Sequence, residues 1–496
     1  MRLESTGSSA GPVRRATSLV AAVLAVGFVL GTSPMGTAAS FSGGHQVDVR
    51  VLQAAHARGS ATYWVLLRQH ADLSATAAIS DRNTKGTFVV DRLRRAAADS
   101  QRGLEAYLRG HGASFRSFWI VNALLVTSDA ATLNAVAARS EVARIVPDRS
   151  AMIPRLVRAA RGPVVDGAEW NLINIRATKV WKKLGDRGKG IVVANIDTGV
   201  QFDHPALVTQ YRGNKGGGNF DHNYNWFDPA NICPGQMPCD NVAHGTHTMG
   251  LMVGDDHQGN KIGVAPKAKW IAAKGCESNS CTLSSLLASG QWVLAPTNLQ
   301  GQNPRPDLRP DVVNNSWGSA NPSDPFYRST VQSWVASGIF PVFAVGGSGP
   351  TCATVSSPAS YPESYAVGAY DMNNLIASFS SRGPSPFGNI FKPNITAPGV
   401  NIRSSIPPNS YAIFSGASMA APQLGGTVAL IWSHVPSIRR DISGTRAVLD
   451  STAINVLNTS CGGDAENNNV YGQGRLDAFA AVKAAQAAVA AAPGRD

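Results

Sequence analysis

Three short segments each set a residue type capable of proton or acyl chemistry into a glycine-rich setting beside an apolar run. The first, residues 192–200 (VVANIDTGV), brings Asp197 to the end of a strand-like run, and Thr198 with Gly199 supplies the turn. Its carboxylate is thereby left at the C-terminal edge of a sheet, where open α/β sheets hold their sites. The second is HGTH, with His244 and His247, heading the apolar run MGLM. The third, residues 414–422 (FSGASMAAP), puts Ser418 where a loop passes into an apolar helix over 419–431. A hydroxyl there stands at a helix N-terminus, and the Ser418 amide can face a developing oxyanion.

Each segment alone has a plainer reading. An aspartate at a strand end is as often a helix cap, and a serine at a helix start is usually an N-cap. His244 and His247 read as a metal pair only if an acid stands at helical spacing, and three positions put the two rings on different faces. Together, in the order Asp, His, Ser, they describe nucleophilic acyl transfer. A serine hydroxyl attacks only when a histidine takes its proton, and the histidine keeps its tautomer only if a carboxylate holds its other nitrogen.

Such a trio needs a scaffold. From about residue 166, strand-like runs at 191–196, 269–273, 311–314 and 340–345 alternate with helical stretches at 283–294 and 327–337. The alternation predicts an α/β fold with a mostly parallel sheet and helices on both faces. Residues 61–150 read as a separate small α+β unit. Its strands at 61–68, 114–119, 121–127 and 142–147 and helices at 88–109 and 130–139 follow the β-α-β-β-α-β order of a ferredoxin-like domain. Residues 149–163 are basic, proline-punctuated and aperiodic, which predicts an exposed, cleavable linker over 151–165. An alanine-rich helix over 478–492 closes the chain.

The chain has 496 residues, 44% hydrophobic and 15% charged, which excludes a disordered chain. The net charge of +12 is unevenly spread: three basic and one acidic residue over 1–39, 17 and 9 over 40–165, and 24 and 22 over 166–496. A near-neutral largest segment would release few counterions on a phosphate backbone, so nucleic acid is not an expected partner. Arg14 and Arg15 precede an uncharged run over 18–30 and the small residues Thr37, Ala38 and Ala39, which predicts a secretory signal over 1–39. That run is too short to span a bilayer, and the mature protein is expected to be secreted with no membrane segment. All six cysteines (Cys233, Cys239, Cys276, Cys281, Cys352, Cys461) lie beyond residue 230, as suits disulfides in an exported chain. Their spacing suggests two local clips, Cys233 with Cys239 and Cys276 with Cys281, leaving Cys352 and Cys461 to close a long loop. A zinc site is the competing reading, but no spacing resembles a structural zinc module.

The segments IDTGV, HGTH and SGASMAAP resemble the three catalytic motifs of the subtilisin-like serine proteases, in that family's chain order. NSWG (315–318) and TAPGV (396–400) resemble its substrate-binding strand and its Ala-Pro-Gly turn, and the pieces APKAKW, VLAP, PDVVNNSWG, YPESYAVGA and APGVNIRSS extend the likeness over 166–485. Residues 40–150 are similar to the family's inhibitory propeptide, whose C-terminus fills the substrate cleft until self-cleavage. The resemblance implies that 166–496 is the peptidase domain, with Ser418 as nucleophile, His244 as general base and then acid, and Asp197 as the orienting carboxylate. Asp203, His204 and His247 fall outside these roles. It also implies that substrate adds a strand beside Ser316, Trp317 and Gly318, with the loop over 279–282 on its other side.

One departure from the family is visible. The oxyanion hole is there completed by an asparagine in an Ala-Gly-Asn-type turn, but residues 343–350 read FAVGGSGP, so that place falls on Gly347. The Ser418 amide then acts alone, and loss of such a donor costs roughly a hundred- to a thousandfold in turnover. The implied function is a secreted, monomeric serine endopeptidase that processes itself from a zymogen and hydrolyses protein or peptide substrates without a cofactor. Calcium stays open, because Asp228, Asp255 and Asp256 have no ligand spacing. The rival expectations are a protease-fold binding protein left inert by Gly347 and an acyl transferase that passes the peptide to an amine.

Overall fold

The computed structural model describes residues 39–41, 45–154, 157–158 and 167–491. The expected secretory signal therefore lies, apart from Ala39, outside the described residues, as does most of the expected linker.

The amino-terminal module is built on a six-stranded sheet in the order 39–41, 45–47, 142–147, 61–67, 123–128, 114–118. Its four inner and last strands give the ferredoxin-like arrangement that the sequence predicts, with Ala61–Leu67 central and antiparallel to both Ala123–Ser128 and Val142–Pro147. Both faces of the central strand are buried, for different reasons. Tyr63, Val65 and Leu67 pack with Leu104, Leu108, Leu133 and Val136 from the module's own helices. Trp64, on the opposite face, meets Phe118 and also Phe326 of the larger domain that follows, the latter edge-on with ring centroids 5.1 Å apart. Strand alternation thus gives the module one core of its own and one shared with its neighbour.

Three features depart from the expectation. A helix, Val49–Arg58, and two short strands, Ala39–Phe41 and His45–Val47, precede the predicted unit. The long helix runs Arg82–Gly110 and not from 88, because Asp81 caps it by accepting from Thr84 N at 2.8 Å. Residues 151–154 are no exposed linker: Ser150–Met152 is a strand, antiparallel to Ser280–Thr282, with Ala151 2% and Ile153 5% exposed.

The larger, carboxy-terminal domain centres on a seven-stranded sheet in the order 226–227, 269–274, 192–197, 312–315, 340–344, 365–370, 395–398. Every pairing in it is parallel. Strands covered by helices on both faces must be apolar throughout, which is why runs such as VVANID and FPVFA carry no alternation. Two helix pairs pack on this sheet, His244–Val253 with Ala417–His434 and Leu283–Leu294 with Arg328–Ala336. Glycine lets the first pair sit close: a Cβ at Gly426 would lie 3.1 Å from Met252 O of the facing helix. The closing helix is Ala478–Ala491. Among the described residues no helix is long and apolar enough to cross a membrane.

All three disulfides join the pairs suggested by spacing: Cys233–Cys239, Cys276–Cys281 and Cys352–Cys461. The last closes a loop of 109 residues, and its loss frees far more unfolded-chain entropy than loss of either local clip. Replacing Cys352 and Cys461 by serine is expected to cost about 2–4 kcal/mol in denaturant unfolding, against a smaller loss for the Cys233/Cys239 pair.

Candidate active site

The central strand Val192–Asp197 ends on the carboxylate that the sequence singles out. Asp197 Oδ1 accepts the Nδ1 proton of His244 at 2.6 Å, and both side chains are out of water. The same carboxylate accepts from Thr198 N at 2.8 Å and Thr248 Oγ1 at 3.1 Å. Three donors offset the cost of burying it. With Nδ1 held as the donor, the tautomer leaves Nε2 as a lone-pair acceptor, and Nε2 is buried with no hydrogen-bond partner among the described residues.

His244 is delivered by a sharp helix start. Ala243 has φ +79°, a left-handed conformation that costs a non-glycine residue energy. Asp240 offsets that cost: its Oδ1 accepts from Ala243 N (2.9 Å), Val242 N (3.0 Å) and Thr198 Oγ1 (2.8 Å), and its Oδ2 from Thr246 N (2.9 Å) and Thr246 Oγ1 (2.7 Å). Sequence reasoning missed Asp240, which stands three residues ahead of the N-cap Ala243 and so carries no capping signal of the usual spacing. Asn195, buried in mid-strand, ties the helix down by donating to Gly245 O at 3.0 Å and Thr248 Oγ1 at 3.1 Å. Gly245 is required by contact, since any side chain there would overlap the carbonyl of Gly199.

Ser418 is the second residue of the helix Ala417–His434, which starts two residues ahead of the predicted 419, after Gly416. This helix packs on the helix of His244 and on the strand of Asp197. The serine hydroxyl is not on the imidazole: Ser418 Oγ donates to Ser316 O at 3.3 Å, while Ser316 Oγ donates to Ser418 O at 3.1 Å. Asp203 and His204 lie apart from the trio: Asp203 takes Gln201 Nε2, and His204 donates from Nε2 to Ser410 O.

The edge at 316–318 is occupied by the chain itself. Met152 and Gly318 exchange hydrogen bonds of 2.9 and 3.0 Å, and Ile153 N donates to Asn279 O at 2.9 Å. Beyond Ser418, Val157–Arg158 pairs antiparallel with Ser415 and Phe414. Residues on both sides of 155–156 are thus bound to strands that flank the serine. Ala151 and Ile153 face inward, and Met152, 49% exposed, faces out. The Trp317 indole is buried and donates to Ile196 O at 3.0 Å, which leaves its backbone for strand pairing. Gly347 lies beside this segment, its missing Cβ 3.5 Å from Pro154 Cβ.

The sequence pattern of the Subtilase family matches residues 188–474, a span that contains every residue of this site. The chain belongs to the subtilase family. It is 40% identical to Bacillopeptidase F of Bacillus subtilis (strain 168) over 422 residues, 81% of this chain but only 29% of that protein. It is 29% identical to Subtilisin E of the same organism over 83% of this chain and 94% of the relative, and 32% identical to Subtilisin Savinase of Lederbergia lenta over 63% and 98%. Subtilases need no cofactor for catalysis. Of the carboxylates left open for calcium, Asp228, Asp255 and Asp256 each accept amides of their own loops.

In this subtilase the second histidine of HGTH is structural. His247 donates from Nε2 to Ile402 O and Ala412 O, both at 3.2 Å, and stacks on Phe414 with ring centroids 4.3 Å apart. Burial, with the nearby His244, pushes its pKa down to about 3. The unfolded chain binds this proton near pH 6.5 and the folded chain only near 3, so the stability is full above 6.5 and is lost as pH falls between those values. The loss is on the order of 1.4 kcal/mol per pH unit. Denaturant unfolding of a Ser418→Ala chain at pH 7 and pH 5 is expected to show this slope, and a further His247→Gln substitution to flatten it.

Proposed function

We propose that the protein is a secreted serine endopeptidase that hydrolyses peptide bonds through Asp197, His244 and Ser418 and is made as a self-processing precursor. The observation that carries this reading is the buried 2.6 Å bond from His244 to Asp197, with Nε2 left unpartnered in the region that receives Ser418. Rotation of the Ser418 hydroxyl from Ser316 O to Nε2 would let the imidazole take its proton as the oxygen attacks a carbonyl carbon. The same proton then goes to the leaving amine, an acyl-enzyme remains, and water releases it by the reverse relay. Three disulfides suit an extracellular setting. Residues 40–150 act as an intramolecular inhibitor, a role supported by the strand Ser150–Met152, which follows the module's sheet and pairs with Ser280–Thr282.

The register supports one choice of the bond to be cut. In an antiparallel pair, Met152 opposite Gly318 sets Pro154 opposite Ser316. A residue with an amide proton at 154 would donate to Ser316 O. Proline has none, and that carbonyl takes the Ser418 hydroxyl instead. Cleavage therefore falls between Pro154 and Arg155. Sequencing the mature N-terminus is expected to start at Arg155, and Ser418→Ala should leave the precursor whole. An intact precursor with Ser418 in place would favour a protease fold that binds without cutting, the reading that glycine at 347 supports.

Gly347 bears on rate. A donor at that place acts on the oxyanion and not on the bound peptide, so its absence lowers turnover. The missing Cβ would make ordinary contact with Pro154, which leaves room for a larger residue. Gly347→Asn is expected to raise kcat about tenfold or more on a peptide substrate with little change in KM. An unchanged kcat would overturn this account of the oxyanion site.

A further inference from the structure

Away from the cleft, the amino-terminal module meets the catalytic domain through a second polar contact. Arg309 is fully buried, yet among the described residues it forms no ion pair. Asp311, the nearest buried acid, gives its oxygens to Arg439, Arg440 and Val192 N. The Arg309 guanidinium is held by carbonyls: Nε and Nη2 donate to Ser337 O at 3.2 and 3.0 Å, Nη1 to Pro306 O at 2.8 Å, and Nη2 also to Arg82 O at 2.5 Å. Arg82, at the start of the long module helix, returns a bond from Nη2 to Arg309 O at 3.2 Å.

This seat exists because residue 86 is glycine. A Cβ there would overlap Nη1 and Cζ of Arg309, so the guanidinium lies where any other residue would put its side chain. Glycine is a poor interior helix residue, and Gly86 stands in the second turn of a 29-residue helix. The planar fork of arginine fits a notch walled by carbonyls, and a lysine ammonium would not. Burial and the adjacent Arg82 push the Arg309 guanidinium down to about 10, which leaves it cationic at neutral pH.

We infer that Arg309 is a docking pin for the amino-terminal module: it seats in the glycine notch of the Arg82–Gly110 helix and retains the module after the connecting chain is cut. The surface it recognises is a helix face bearing a glycine one turn after a carbonyl left open to a second donor. The retention step rests on the self-processing proposed above; the docking itself does not.

Two measurements separate these. In an uncut Ser418→Ala chain, hydrogen exchange over residues 82–90 should quicken at least tenfold on adding Gly86→Ala. Alanine is the better helix former, so lost protection reports lost docking and not a weaker helix. In the chain with Ser418 intact, the cut module should leave the Gly86→Ala protein at least tenfold faster in size-exclusion chromatography. Arg309→Lys should act alike in both. Gly110→Ala, at a position with open space around it, should leave both readings unchanged. Native or greater protection in the Gly86→Ala chain, or native retention of its cut module, would overturn the pin. If the chain with Ser418 intact is never cut, self-processing fails while exchange still decides the docking.

Discussion

The hydrogen bond from His244 to Asp197 is the constraint to which the catalytic half of the molecule answers. A carboxylate withdrawn from water is costly unless donors replace its hydration, and a low-dielectric surrounding strengthens each donor that does so. Asp197 obtains its donors from three places: the next residue's amide, the His244 ring and the Thr248 hydroxyl one helical turn further on. The last two require the helix His244–Val253 to begin at one position and in one orientation. That demand reaches Asn195 within the strand, Asp240 in the preceding loop and Gly245, whose lack of a side chain permits the approach.

The cleft follows a different logic, set by main-chain pairing. The edges at 279–282 and 316–318 offer unpaired backbone groups, and the module's own strand satisfies them. An edge of this kind accepts any extended chain, and specificity is left to the inward residues, here Ala151 and Ile153. The module is held in two chemically distinct ways, by strand pairing at the cleft and by packing and polar contacts elsewhere, as where Gln291 Oε1 accepts from Trp119 N at 2.7 Å. Severing the chain near Ser418 leaves all of these contacts formed, so cutting and departure of the module are physically separate events.

What the sequence made legible and what it concealed divide along the same line. Asp197, His244 and Ser418 stood out because acyl chemistry restricts residue types and tight turns restrict their neighbours, and both restrictions are local. The parallel strands were legible as unbroken apolar runs, and the cysteine pairs as short spacings. Residues 151–154 read as a linker because exposed Met152 is as apolar as the buried Ala151 and Ile153 beside it, so no alternation shows, and Pro154 breaks the pattern further. The helix at 82–87 was hidden for a related reason: its first turns meet Arg309 through backbone and glycine, without the apolar stripe by which helices are recognised. Residue type says nothing of which way an indole points, and that of Trp317 turns inward to Ile196 O. Asp240 matters only once Ala243 adopts its left-handed conformation, which is a property of the folded loop.

The two logics meet at residue 347. Strand pairing in the cleft binds a peptide equally before and during attack, and such uniform binding does nothing for the barrier. Oxyanion donors act almost wholly on the transition state. This chain is well furnished with the first; on the proposed reading of position 347, glycine leaves it short of the second. A cleft so built would hold an extended segment better than it would hasten its cleavage. Pro154 adds to that balance, because its missing amide proton leaves Ser316 O free to hold the Ser418 hydroxyl away from His244. Occupancy of the cleft and the hold on the Ser418 hydroxyl then come from one segment, which would suffice for the latency of the proposed precursor without any separate lid.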